Sequence, residues 1–403
     1  MTLGATTVFG NARLADGRLV DLLVEDGVVT RHRSPTPDAD VDLGGRLVVP
    51  SLAEPHAHLD KALTAELVAN PAGDLMGAIE AWSAHYDERT VPEVIARADR
   101  AVALMLRNGT THIRTHVDVG AAIGQRALDA LVQVRDRWAA VVDIQIVALL
   151  MFPLTGSEGG PNRTALSQAI EAGADLIGGC PHLDSDPEGM IEVVLDASME
   201  SGLPLDLHVD ETLEPSMLSL ATLARRVVER GHPHAVSASH CVSLSVQPPE
   251  AQQRVASLVA EAGISVVALP QTNLFLQARG QTTAPPRAIT PIDVLREAGV
   301  RVAVGGDNLQ DPFNPMGRGD PLEAASLAVT AAHQHPAVAF EQVTADTRAL
   351  MGLASAGPEV GQRADLLVVD ASSVTSMVAA APGSRTVVRG GRVVVSEGRL
   401  SDA

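Results

Sequence analysis

Eight short apolar, β-prone runs alternate with Ala-rich helical stretches through the middle of the chain, and few folds accept that pattern. The runs cover 47–53, 110–117, 143–150, 175–180, 204–209, 235–239, 264–269 and 301–305. Their hydrophobicity is continuous rather than alternating, which predicts strands buried on both faces, as in a parallel sheet. Helical stretches such as 91–108 and 188–201 are each followed by glycine, Gly109 and Gly202. Glycine adopts the left-handed backbone that ends many helices. An eightfold repeat of strand and helix predicts an α/β fold, the (β/α)8 TIM barrel.

The flanks read differently. Residues 1–49 form short β-prone runs, with Asp26-Gly27 between two of them as a hairpin signal. The segment 361–403 has the same character, in 364–370 and 386–395. Neither flank can bury a core alone. Both are expected to combine into one small β-sandwich domain, leaving 50–360 as the barrel.

Composition excludes several functional classes. With 46% hydrophobic residues over 403 positions, the chain can fill a sizeable core. A formal charge of -19 argues against nucleic acid and anionic membranes as partners. The N-terminus lacks a basic start followed by an apolar segment, and no run approaches about 18 apolar residues, so a cytoplasmic protein is expected. Cys180 and Cys241 are too few and too far apart for a disulfide framework or a Cys-x-x-Cys site.

The chemistry concentrates at the ends of the runs. His56 and His58 stand two apart just past the first run, so on extended backbone both rings face one side. His208, His240 and Asp307 each end or follow a later run. In a parallel barrel the C-terminal strand ends form one face, where these side chains would converge. His56, His58, His208 and Asp307 make a ligand set for one divalent ion with an open position for water. Nitrogen and carboxylate donors suit Zn, Fe or Mn. Such an ion lowers the pKa of its water and generates hydroxide without a strong base. Glu211, three residues after His208, is placed for general acid and base work. His240 either ligates the ion or contacts the attacking water or the substrate.

The stretches Glu54-Pro55-His56-Ala57-His58-Leu59-Asp60, Arg114-Thr115-His116-Val117-Asp118-Val119, Ile144-Gln145-Ile146-Val147-Ala148, His208-Val209-Asp210-Glu211, Ala238-Ser239-His240, Asn273-Leu274-Phe275-Leu276-Gln277-Ala278-Arg279 and 306–317 extend over nearly the whole chain. Together they resemble the amidohydrolase superfamily, and within it the branch of cytosine deaminases and N-isopropylammelide hydrolases. The resemblance implies that His56, His58, His208 and Asp307 hold the metal, that Glu211 shuttles protons, that His240 contacts the hydrolytic water, and that the protein is a homo-oligomer. Many relatives bridge two metals with a carboxylated lysine. Lys61 is the sole lysine here and follows the first motif directly, so a mononuclear site is expected.

Two departures bear on substrate. Cytosine deaminases place a glutamine that reads the pyrimidine amide where this chain has Met151, and a thioether cannot make those hydrogen bonds. Asn308 stands where the family often has a second acid. Met151, Asn308 and Phe313 are the expected substrate contacts, with His182 and Asp184 after the fourth run as further polar ones. The expected activity is hydrolytic removal of an amino or substituted amino group from a small nitrogen heterocycle: a pyrimidine, pterin, triazine or creatinine-like ring. The alternative is a cyclic amide hydrolase that opens a ring without releasing an amine. A catalytically silent metal-binding protein is the third reading. Deaminases built on Pro-Cys-x-x-Cys are excluded, since no Cys-x-x-Cys occurs.

Overall fold

The computed structural model describes residues 6–401. Eight parallel strands follow one another around a barrel: β1 Leu52–Ala57, β2 Thr110–Val119, β3 Asp143–Leu150, β4 Leu176–Gly178, β5 Leu205–Val209, β6 Val236–His240, β7 Ser265–Ala268 and β8 Val302–Val304. Closure between β8 and β1 falls just past β8, where the amide of Asp307 donates to the carbonyl of His56 at 3.0 Å and Ala57 bridges Asp307. A residue of the expected ligand set thus completes the barrel.

The helices form where the sequence places their signals. Thr90 caps the helix Val91–Arg107 by accepting from the Glu93 amide, and Pro92 sits in the first turn. Its apolar stripe, Val94, Ala98, Ala101, Val102 and Met105, is buried on the barrel. Gly109 leaves that helix with φ +99, and a Cβ there would meet Leu367 Cδ1 at 2.9 Å, so backbone and packing both require glycine. Among the described residues, no helix is long and apolar enough to cross a membrane.

Both flanks join in one nine-stranded sheet, in which Leu47–Pro50 pairs antiparallel with Leu366–Val369. Alternation sorts its side chains: Val48, Leu366 and Val368 enter the sheet's own core with Phe9 and Leu22, while Leu47, Val49, Leu367 and Val369 pack towards the barrel. Asp26 and Gly27, at φ +49 and +76, make the expected hairpin turn between Leu19–Glu25 and Val28–Arg33. Buried Arg385 ties sheet to barrel through both oxygens of Asp320, at 2.9 and 2.6 Å.

One strand expectation is corrected. The run 47–53 is two strands: Leu47–Pro50 belongs to the terminal sheet, and Leu52–Ala57 opens the barrel. Ser51 is the crossover, its amide bonded to Asp365 in the sheet while the next amide bonds to Gly109 beside β2. Both halves are buried, and so is the one polar residue at the break, Ser51, whose hydroxyl lies 2.7 Å from that of Thr111.

Candidate active site

Strand parity carries the first side chains inward. On β1, Glu54 and His56 share the inner face, and His58 follows one residue past the strand. Glu54 ties the strand ends together, accepting from the amides of His56 at 3.1 Å and Gly306 at 3.0 Å, and burial pushes its carboxyl up to about 8. A Cβ on Gly305 would lie 2.7 Å from Glu54 Oε1, so glycine is needed for this approach. On β5, Asp206 and His208 face inward together.

Parity would send His240 outward, because its neighbour Ser239 faces the barrel interior. The backbone of His240 is left-handed, φ +68, and this returns its imidazole to the cavity. Asp307 has φ +62 and Asp210 φ +53, so three strand ends adopt a conformation that costs about 1–3 kcal/mol each in ordinary residues. Such outliers cluster where side chains must be aimed.

The aimed groups meet closely. His208 Nε2 lies 3.1 Å from His56 Nε2 and 3.2 Å from His58 Nε2. Asp307 Oδ1 is 3.5 and 3.3 Å from those two histidine nitrogens. Burial first, then neighbouring positive charge, holds His56 and His208 well below the ordinary histidine value, so their rings are neutral and carry lone pairs. Both oxygens of Asp307 are buried and accept no hydrogen bond among the described residues. A buried carboxylate facing a cluster of three imidazoles, with no hydrogen bond to its own oxygens among the described residues, fits a site built to receive a cation.

Glu211 follows the left-handed Asp210 and leaves β5 over this cluster. Its carbonyl accepts from Gln277 Nε2 at 3.1 Å, and its carboxyl lies 3.5 Å from His240 Nδ1. Burial, and then the charge of Asp307, raises the Glu211 carboxyl well above its ordinary value. His240 Nδ1 is 3.0 Å from Asn273 Oδ1, while its Nε2 has no partner among the described residues. An acid that holds its proton thus stands beside an oriented imidazole.

These groups form one end of a cavity. Met151, Asn308 and Phe313 line it, together with Leu149, Leu150 and Phe152. Asn308 is held at both ends of its amide, accepting from Thr272 at 3.2 Å and donating to Asp311 at 2.9 Å. Of the two polar residues after the fourth run, the expectation for Asp184 is corrected. His182 lines a neighbouring open cavity that shares Glu211 and Leu183 with this one, and burial lowers its ring to about 3. Asp184 turns away to accept from the Leu154 amide and the Thr155 hydroxyl, because its chain has already curled into a 3₁₀ turn.

Several functional groups were missed in the sequence. His116 stacks on His56 with centroids 3.9 Å apart and joins His56 and His208 in a second cluster with metal-ligand spacing. Asp118 lines the cavity and accepts from Lys61 Nζ at 2.6 Å, Trp82 Nε1 at 2.9 Å and the Tyr86 hydroxyl at 3.2 Å. Trp82 comes from the helix Leu75–Ser83, which covers the cavity with Leu75 and Ile79. One signal was available: Arg114, His116 and Asp118 stand two apart on a strand buried along its whole length, so one face of β2 carries three ionisable groups into the barrel.

Known proteins resemble this chain over nearly its whole length. Residues 89–395 match the profile of the amidohydrolase family. A pterin deaminase of Rhizobium rhizogenes is 32% identical over 98% of this chain and 92% of its own length. The structure of 5-methylcytosine deaminase from Klebsiella pneumoniae liganded with 5-fluorocytosine superposes with a TM-score of 0.88 at 29% identity, covering 98% of each chain. N-isopropylammelide isopropylaminohydrolase from Burkholderia multivorans gives a TM-score of 0.84 at 30% identity, over 98% of this chain and 100% of that one.

Proposed function

From the premise that this chain belongs to the amidohydrolase family, we propose that it is a metal-dependent hydrolytic deaminase of nitrogen heterocycles, with pterins as the leading substrate class. The convergence of three imidazoles and Asp307 beside Glu211 and His240 carries this reading. Zn and Fe are the leading metals, with Mn third, since the donors are three nitrogens and one carboxylate oxygen. His56, His58, His208 and Asp307 would hold the ion, which when bound lowers the pKa of water towards neutrality.

The remaining steps belong to the chain. Water adds to the ring carbon that bears the amino group; Glu211 delivers a proton to the adjacent ring nitrogen, and Asp307 helps take the proton that the water loses. Glu211 then takes the proton of the new hydroxyl and passes it to the departing amine, leaving a ring carbonyl and ammonia, and the proton held by Asp307 returns to Glu211. His240 Nε2, unpartnered and at the cavity end, hydrogen-bonds the attacking oxygen. Trp82 and Phe313 supply flat apolar surface for a ring.

The test is release of ammonia from a panel of pterins, aminopyrimidines, aminotriazines and creatinine by protein loaded with Zn, Fe or Mn. Pterins are expected to turn over fastest. Ring-opened products without amine release would overturn the deaminase reading. A homo-oligomer and a cytoplasmic location extend the proposal by family resemblance; light scattering showing a monomer would remove the first.

A further inference from the structure

One of the three clustered imidazoles differs from the others. Nδ1 of His58 and Nδ1 of His208 have no hydrogen-bond partner among the described residues. His56 Nδ1 lies 2.9 Å from Ser239 Oγ, and that hydroxyl reaches Asp206 Oδ1 at 3.3 Å. Asp206 is in turn held by Arg114 NH1, 2.6 Å from its Oδ2. Arg114 also donates to Gln145 Oε1 at 2.9 Å and Ser237 Oγ at 3.3 Å. This buried chain draws on β1, β2, β3, β5 and β6 and lies one layer of side chains below the cluster.

We propose that Ser239, backed by the Asp206–Arg114 ion pair, is a positioning residue that fixes the tautomer and ring plane of His56 for metal binding. The direction of the hydrogen bonds gives the reason. Arg114 takes up Asp206 Oδ2, and Asp206 Oδ1 accepts the single hydroxyl hydrogen of Ser239. Ser239 Oγ then offers only lone pairs to His56 Nδ1, so that nitrogen carries the ring hydrogen. His56 Nε2 is left as a lone pair aimed at His208 and Asp307. A hydrogen-bonded outer partner commonly orients a ligating histidine, and its loss costs about 10–100-fold in metal affinity. Here the other two imidazoles lack such partners, so His56 is the one ligand set in place before the ion arrives.

The inference rests on the proposed metal site, and its test separates the two. Apoprotein made by chelation is titrated with Zn²⁺ and Co²⁺ against a chromophoric chelator, and the visible Co²⁺ spectrum is recorded. Ser239→Ala is expected to weaken both ions by about 10–100-fold and to alter the Co²⁺ bands. Ser239→Thr, which keeps the hydroxyl, is expected to restore both. Ser51→Ala, which removes a buried hydroxyl 2.7 Å from Thr111 Oγ1 at the opposite end of the barrel and outside this chain, is expected to leave affinity unchanged and so controls for general loosening of the barrel. Wild-type affinity and spectrum in Ser239→Ala would overturn the inference while leaving the metal site intact. Failure of the wild-type protein to bind either ion would overturn the functional reading itself.

Discussion

Lys61 is the place where one substitution tests the buried electrostatics of the cavity. It is 3% exposed, between Asp60 at 0% and Asp118 at 5%, with its ammonium 3.2 and 2.6 Å from their carboxylates. Lys61→Met keeps the bulk of the stem and removes the charge. Asp118 then retains the Trp82 and Tyr86 donors, and Asp60 retains the Asp118 amide at 3.2 Å, but no cation hydrogen-bonds to either. Stranding a buried charge in this way costs about 3–5 kcal/mol. For a chain of this length that corresponds to a drop in Tm of roughly 4–6 °C. Lys61→Met/Asp118→Asn is expected to recover most of the loss, because the amide needs no counter-ion. The pH dependence has a definite sign. Burial works to raise the Asp118 carboxyl, but the charge and hydrogen bond of Lys61 outweigh it, so the group lies below its ordinary 3.8. Its contribution is present above that pH and is lost as pH falls through the folded value. Lys61 lies above its ordinary 10.5, because the charges of Asp118 and Asp60 outweigh burial, so its contribution is full below that pH and is lost on further rise. Thermal and urea denaturation of the four members of the cycle measures the cost and the Asp118 side from pH 3 to 7, and the Lys61 side in a second series taken above pH 10. If Lys61→Met stays within about 1 kcal/mol of wild type, or if the double variant is no more stable than Lys61→Met, the account of the cluster is wrong.

Three further outcomes follow from the site. Glu211→Gln keeps the shape but cannot shuttle a proton, so turnover should fall by about 10²–10⁴ while metal content by atomic absorption stays at the wild-type level; near-normal turnover would remove Glu211 from the chemistry. Removing the ion should lower Tm, and restoring it at about 100 times its Kd should return about 2.7 kcal/mol, an increment that Asp307→Ala should abolish in the same calorimetric experiment. Met151 lines the cavity with its sulfur 3.7 Å from the Tyr86 hydroxyl, so Met151→Gln puts an amide on that wall. The ratio of kcat/KM for cytosine to that for pterin should then rise at least about tenfold, and an unchanged ratio would show that this wall does not read the ring.

Much of the architecture was legible along the chain because its signals are local. Buried parallel strands need continuous apolar runs, glycine marks helix ends at Gly109 and Gly202, and Asp26-Gly27 suits only a tight turn. The spacing of His56 and His58 and the strand-end positions of His208 and Asp307 told which side chains the barrel would bring to one face, and their nitrogens and oxygen do lie within 3.5 Å of neighbours in the cluster.

What the chain order could not reveal depends on closure and register. The division of 47–53 between two sheets was invisible because both halves are apolar and buried. His240 faces the cavity only through a left-handed backbone, against the parity of its strand. Lys61 meets Asp118 across 57 positions, and His56 meets Ser239 across 183, because neighbouring strands align at particular residues and the barrel closes at Asp307. Sequence by itself determined the kind of element at each stretch and the face of each strand, since backbone preference and side-chain parity are properties of adjacent residues. Tertiary structure alone decided which buried charges and lone pairs confront one another, since a hydrogen bond or ion pair depends on distances of a few ångströms that only the packed fold sets.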